Sequence, residues 1–98
     1  MANPLEVRWS ARAIRDLESI LKYLENEWTN RELRIFSTKL DKAITLIASR
    51  PKLFRATKQR KNLRRCVLSK HTTIFFLENE KSIFIVSLFD NRQDPSKI

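Results

Sequence analysis

Before Pro51 the apolar residues recur at three- and four-residue steps, whereas from Leu63 onward they come in short dense runs. Ser10 is a good helix N-cap, and after it Ala13, Ile14, Leu17, Ile20, Leu21, Leu24 and Trp28 trace one face of an amphipathic helix. Thr29 to Glu32 fits a capping box, with Thr29 capping a second helix and Glu32 reaching back to the Thr29 amide. Leu33, Phe36, Leu40, Ala43, Ile44 and Ile47 form the stripe of that helix. Arg50-Pro51 ends it, because the residue before a proline is pushed out of the helical region. Helices joined by so few residues form an antiparallel hairpin. Ahead of them, Leu5-Glu6-Val7-Arg8-Trp9 alternates apolar and charged side chains, the period of a half-buried strand and short enough for a sheet edge.

The last third holds three runs rich in β-branched and aromatic residues: Cys66–Leu68, Thr72–Leu77 and Ser82–Phe89. The polar break Glu78-Asn79-Glu80-Lys81 separates the last two. In the final run, strict alternation sets Phe84, Val86 and Leu88 on one face and Ile83, Ile85 and Phe89 on the other. A strand apolar on both faces is central in its sheet and covered on both sides. The helical hairpin is the cover for one side; the other cover is the chain's own tail or loop, or a partner. Residues 51–62 lack a period and read as a basic loop with one helical turn near Leu53-Phe54. The expected class is α+β, in the order β-α-α-β-β-β, with the hairpin packed on a small antiparallel sheet.

Composition narrows the function. Ninety-eight residues make one domain, 1–98. There is no glycine, so phosphate-cradling nucleotide loops, which need close backbone approach, are excluded. One His and one Cys cannot assemble a structural zinc set. No cofactor or metal is expected. Cys66, alone and inside an apolar run, reads as a small buried hydrophobe. No run is long and apolar enough for a membrane span and the N-terminus lacks a secretory signal, so a cytoplasmic location is expected.

The net charge is +9, and its distribution matters more than its size. Residues 1–49 carry eight basic and seven acidic side chains, and residues 71–98 carry three and four. Residues 50–70 carry nine basic and no acidic ones: Arg50, Lys52, Arg55, Lys58, Arg60, Lys61, Arg64, Arg65 and Lys70. A single-sign stretch predicts an anionic partner, either nucleic acid or an acidic protein segment.

Several motifs in order resemble the RelE/ParE toxins, particularly ParE-like members. They are Trp9-Ser10 with Ala13, Asp16-Leu17, Ile20 and Tyr23; Phe36, Leu40, Ile44, Ile47 and Pro51; Arg65 opening a strand; Thr72-x-Ile74-x-Phe76; and Ser87-Leu88-Phe89-Asp90-x-Arg92-Gln93-x-Pro95. The resemblance implies the toxin of a bacterial type II toxin–antitoxin system, bound in a hetero-oligomer by a cognate antitoxin that adds a strand or lays a helix on exposed apolar surface. It implies one of two targets. ParE-type relatives are associated with inhibition of DNA gyrase, and RelE-type relatives with ribosome-dependent cleavage of messenger RNA. A third outcome is a non-toxic relative whose basic loop binds nucleic acid.

RNA cleavage needs a group to activate the 2′-OH, cations for the phosphorane and an acid for the leaving oxygen. If this chain is a nuclease, the candidates are Arg65, His71 and Arg92. Thr72 and Phe76 stand where the family's strand commonly has tyrosines, and the single tyrosine, Tyr23, lies in the first helix as a packing residue. These departures favour the ParE-like, gyrase-inhibiting reading, with Arg60, Lys61, Arg64, Arg65, Lys70 and Arg92 contacting target or antitoxin. Of Arg64 and Arg65, one alone can face the helix-free side, and the resemblance selects Arg65. Arg92 either pairs with Asp90 or Asp94 to hold the tail, or contacts a partner directly. His71, in a polar turn, is either a plain turn residue or a group titrating near neutral pH.

Overall fold

In the computed structural model, which describes residues 4–58, 60 and 62–92, the chain runs β1 (Glu6–Trp9), α1 (Ala11–Glu27), α2 (Asn30–Ser49), a 3-10 turn (Pro51–Leu53), β2 (Leu63–Val67), β3 (Thr72–Glu78) and β4 (Ser82–Asp90). The sheet order is β1-β4-β3-β2. The three C-terminal strands are antiparallel, and β1 joins β4 in parallel, so the sheet is mixed rather than wholly antiparallel. β4 is central and β1 is an edge, as their patterns predict. Among the described residues no helix is long and apolar enough to cross a membrane.

The helices begin where their caps say. Ser10 Oγ accepts from the Ala13 amide at 2.9 Å and Thr29 Oγ1 accepts from the Glu32 amide at 3.3 Å. Glu32 does not return a bond to the Thr29 amide, so the predicted box is a one-sided cap. Both helices pack on one sheet face. Ala13, Ile20 and Leu24 of α1, with Phe36, Leu40 and Ile47 of α2, meet Cys66, Ile74, Phe76, Ile83, Ile85 and Leu88 of the strands. Burial pushes the Cys66 thiol pKa up and keeps it protonated. Two members of the α1 stripe fall outside this core: Ile14 and Trp28 are 47% and 45% exposed.

Strict alternation fails in β4. Phe75 pairs with Ser87 but the next residue, Phe76, pairs with Ile85, so Val86 is an extra residue in β4. The bulge shifts the inward parity from odd to even: Ile83, Ile85, Leu88 and Asp90 are all buried on the helix side. Leu88 therefore joins Ile83 and Ile85 rather than Phe84, and Phe89 lies on the opposite face. The backbone groups freed beyond β1's end find partners on α1. Ser10 Oγ donates to the Val86 carbonyl at 2.7 Å, and the Leu88 amide donates to Asp16 Oδ2 at 3.0 Å. Ser10 thus caps a helix and ties it to the sheet with one hydroxyl.

The basic loop is more ordered than its composition suggests. Its 3-10 turn covers Pro51–Leu53, and Phe54 meets the Phe76 ring edge-on at 5.7 Å between centroids. Residues 55–57 then lie antiparallel against the outer edge of β2: the Arg65 amide donates to the Arg55 carbonyl at 3.1 Å and the Thr57 amide to the Leu63 carbonyl at 2.7 Å. The first half of that edge is already paired by the chain itself.

Candidate functional site

The β2 alternation separates the two adjacent arginines. Arg64 pairs with Phe76 on the helix side and Arg65 pairs with Phe75 on the helix-free side. Arg64 is committed internally: its Nε donates to Glu78 Oε1 at 3.1 Å and its Nη1 to the Phe54 carbonyl at 2.6 Å. Lys52 reaches the other oxygen of Glu78 at 3.5 Å. One carboxylate on β3 thus anchors both ends of the basic loop. Arg65 is exposed and makes no ion pair among the described residues. Around it, Leu63, Val67, Phe75, Leu77, Phe84 and Phe89 alternate onto the same face, with Val67 65% and Phe89 43% exposed. The helix-free face of the sheet is therefore apolar with a cation in it.

Arg92 follows β4 and turns back on the helix side. It forms a bidentate pair with Asp90, Nη2 to Oδ2 at 2.7 Å and Nε to Oδ1 at 3.1 Å. The Asp90 side chain is fully buried, and Thr72 Oγ1 also donates to it, at 2.8 Å. Burial pushes the Asp90 pKa up, but the hydrogen bonds from the Arg92 side chain, Thr72 and the Arg92 amide, with the Arg92 charge, outweigh it and hold it below the ordinary value. The Arg92 guanidinium also lies over the rings of Tyr23, at 6.0 Å, and Trp28, at 5.9 Å. Arg92 therefore takes the pairing role with Asp90; Asp94 lies outside the described residues. Tyr23 packs on Arg92 as well as within the hairpin.

Next to this clamp opens a cleft of about 430 Å³ between α2 and the β2–β3 turn. Lys70, His71 and Arg92 line it, and α2 contributes Lys39, which the sequence reading did not single out. His71 sits with its Nδ1 3.3 Å from Asn91 Oδ1, and its amide donates to Ser69 Oγ at 3.1 Å. Of the other proposed residues, Arg60 is exposed in the loop, where its amide meets Thr57 Oγ1 at 3.3 Å, and Lys61 lies outside the described residues. The sequence candidates thus divide. His71, Lys70 and Arg92 converge on the cleft, Arg65 points away on the far side of the sheet, and Arg64 is half-buried in its own pair. The helical spacing of Lys39, three residues after Phe36, was the signal that it borders the core face.

Among the described residues no group of three metal-binding side chains comes together. The fold is similar to that of several solved structures. The chromosomal ParDE system from P. aeruginosa matches with a TM-score of 0.69 at 13% identity, covering 91% of this chain and 98% of that one. The Helicobacter pylori protein HP0894 matches at 0.60 and 18% identity, covering 90% and 96%. The E. coli DinJ–YafQ toxin–antitoxin complex matches at 0.65 and 9% identity, covering 93% and 97%. At such identities these likenesses establish the fold. Comparison with curated protein sequences gives no match. The sequence profile of the ParE toxin of the type II toxin–antitoxin system parDE matches residues 7–95, and the chain belongs to that family.

Proposed function

We propose that this protein is a toxin that acts by binding DNA gyrase, not by cutting RNA, and that a cognate antitoxin neutralises it. The observation that carries the choice is the separation of the cationic candidates. Cleavage of a phosphodiester needs its base, acid and cations gathered around one phosphorus. Arg65 lies on the helix-free face, whereas His71 and Arg92 line a cleft on the helix side. The sheet stands between them, and Arg92 is neutralised by a buried carboxylate. Protein contact makes no such demand and fits an apolar face with a cation set in it.

The antitoxin reading is supported by the family and by the ParDE and DinJ–YafQ assemblies of similar fold. The helix-free face around Val67, Phe84 and Phe89 is where it would cover apolar surface. The decisive experiment is a gyrase supercoiling assay beside a translation extract. Supercoiling should stop and ribosome-bound message stay intact; cleaved message with active gyrase would refute the reading. One observation favours the ribonuclease alternative: Lys70 and His71 share a cleft with Lys39. That reading requires cleavage that is lost on His71→Ala in a folded protein.

A further inference from the structure

Residues 50–70 carry the whole net excess of charge, and the fold gives that charge a definite shape. Residues 55–57 and 63–65 form a short antiparallel ribbon on the outer edge of the sheet. Ala56 stands opposite Arg64, the Arg65 amide donates to the Arg55 carbonyl and the Thr57 amide to the Leu63 carbonyl. The far end is closed by Thr57, whose hydroxyl donates to the Arg60 carbonyl at 3.2 Å and accepts from the Arg60 amide at 3.3 Å. The root is braced from the sheet: Arg64 and Lys52 both meet Glu78, and the Phe54 ring packs edge-on against Phe76. Glu78 is thereby neutralised at the root. Arg55, Lys58 and Arg60 are exposed and make no ion pair among the described residues. The same register sets Arg55 opposite Arg65, on the face away from the helices. Like charges directly opposite on neighbouring strands are destabilising, so an anion beside them relieves a cost that the free protein carries.

We propose that this ribbon is a DNA-binding wing, which lays its tip in the major groove of a duplex and sets Arg55, Lys58 and Arg60 against backbone phosphates. The inference rests on the reading of the chain as a gyrase toxin, because gyrase presents duplex DNA beside its own surface. Three features select a duplex over other anionic partners. A two-stranded ribbon has the width that the major groove of B-DNA admits. The tip has no apolar seat: its described residues after Thr57 are Lys58, Arg60 and Asn62, all exposed. Exposed ion pairs alone add little to a protein contact, whereas each cation placed on DNA releases condensed counterions and adds affinity by itself. The ribbon also offers no free ring on which an unpaired base would stack. Phe54 is half-buried against Phe76, and the exposed rings of Phe84 and Phe89 lie on β4, beyond β3.

The test follows binding of the full chain to a fluorescent duplex by anisotropy as salt rises from about 50 to 200 mM. Phosphate contacts from Arg55, Lys58, Arg60 and Arg65 give a log–log salt slope of about −3.6, so affinity should fall about a hundredfold over that range. Arg55→Gln/Lys58→Gln/Arg60→Gln should reduce the slope by about 3 and weaken binding at the lower salt by about tenfold or more. The hydrogen bonds of residues 55 and 60 are made by the backbone, so glutamine leaves the ribbon intact. Arg15→Gln/Lys22→Gln/Lys42→Gln removes the same charge from exposed helix positions and should bind within about twofold of wild type, since screening confines each cation to its own surroundings. Equal losses in the two triple variants, an unchanged slope in the ribbon variant, or tighter binding of an oligothymidylate or a polyglutamate peptide than of the duplex would each overturn the proposal. Supercoiling inhibition by the same preparations is read separately: its absence in the wild type refutes the gyrase reading, whereas duplex binding without gyrase tests the ribbon alone.

Discussion

Replacing Arg92 by Ala tests whether the clamp holds the end of β4 to the hairpin. The substitution leaves a fully buried Asp90 carboxylate without its charged partner. Breaking a buried ion pair on one side typically costs about 3–5 kcal/mol. Two features reduce that here: the Arg92 side chain is 16% exposed, and the Thr72 hydroxyl and the residue 92 amide continue to donate to Asp90. Loss of the contacts over Tyr23 and Trp28 adds about 0.5–1 kcal/mol. The expected cost is about 2–3 kcal/mol at pH 7, which for a chain of this length lowers Tm by about 10–20 °C.

The pH dependence separates this mechanism from simple loss of packing. The folded Asp90 pKa lies below its ordinary value of 3.8. A depressed carboxylate pKa gives stability that is complete above the unfolded value and is lost as pH falls through the folded one. The gap between wild type and Arg92→Ala, from urea denaturation at a series of pH values, should be constant from pH 7 to about pH 5 and close below about pH 4. Arg92→Lys, which keeps charge without the bidentate fork, should fall between the two. A cost below about 0.5 kcal/mol at pH 7, or a gap unchanged at pH 3, would refute the argument.

The adjacent arginines should behave oppositely in denaturation: Arg64→Ala costs about 1–3 kcal/mol because Glu78 and the Phe54 carbonyl lose their donor, while Arg65→Ala stays within about 0.5 kcal/mol. Asp16→Ala leaves the Leu88 amide without its acceptor and should cost about 1–3 kcal/mol, with faster hydrogen exchange at Leu88 as the local signature. Val67→Asp with Phe89→Asp should leave thermal stability nearly unchanged, since both side chains are exposed, yet abolish neutralisation by the antitoxin, read as loss of its co-purification with the toxin. Unimpaired neutralisation would remove the helix-free face as the antitoxin's seat.

The helices were readable because their signals are local. Ser10 and Thr29 cap as expected, and the α2 stripe from Leu33 to Ile47 is buried or half-buried throughout. The split of Arg64 from Arg65 was legible for the same reason, since neighbours on a strand must diverge. The site was legible only in part. His71, Lys70 and Arg92 could be named as candidates, but their meeting with Lys39 depends on how α2 crosses the β2–β3 turn, and their separation from Arg65 depends on the sheet lying between. Neither relation is written in spacing along the chain.

The β4 bulge shows why period-two reading fails where it does. Ser82–Phe89 is apolar at six of eight positions, and its two serines, Ser82 and Ser87, are too weakly polar to reveal a change of face. The mark lies at either end. Asp90 must be inside to meet Thr72 and Arg92, and Ile83 must be inside to pack beneath the hairpin. These positions are an odd number apart, so no regular strand can bury both, and one extra residue has to be absorbed between them. It is absorbed at Val86, where β1 has ended and α1 supplies Ser10 and Asp16 to the loosened backbone. The same shift carries Leu88 into the core and leaves Phe84 and Phe89 together on the helix-free face. The apolar surface proposed for the antitoxin and the buried clamp that occupies Arg92 are thus two consequences of one inserted residue.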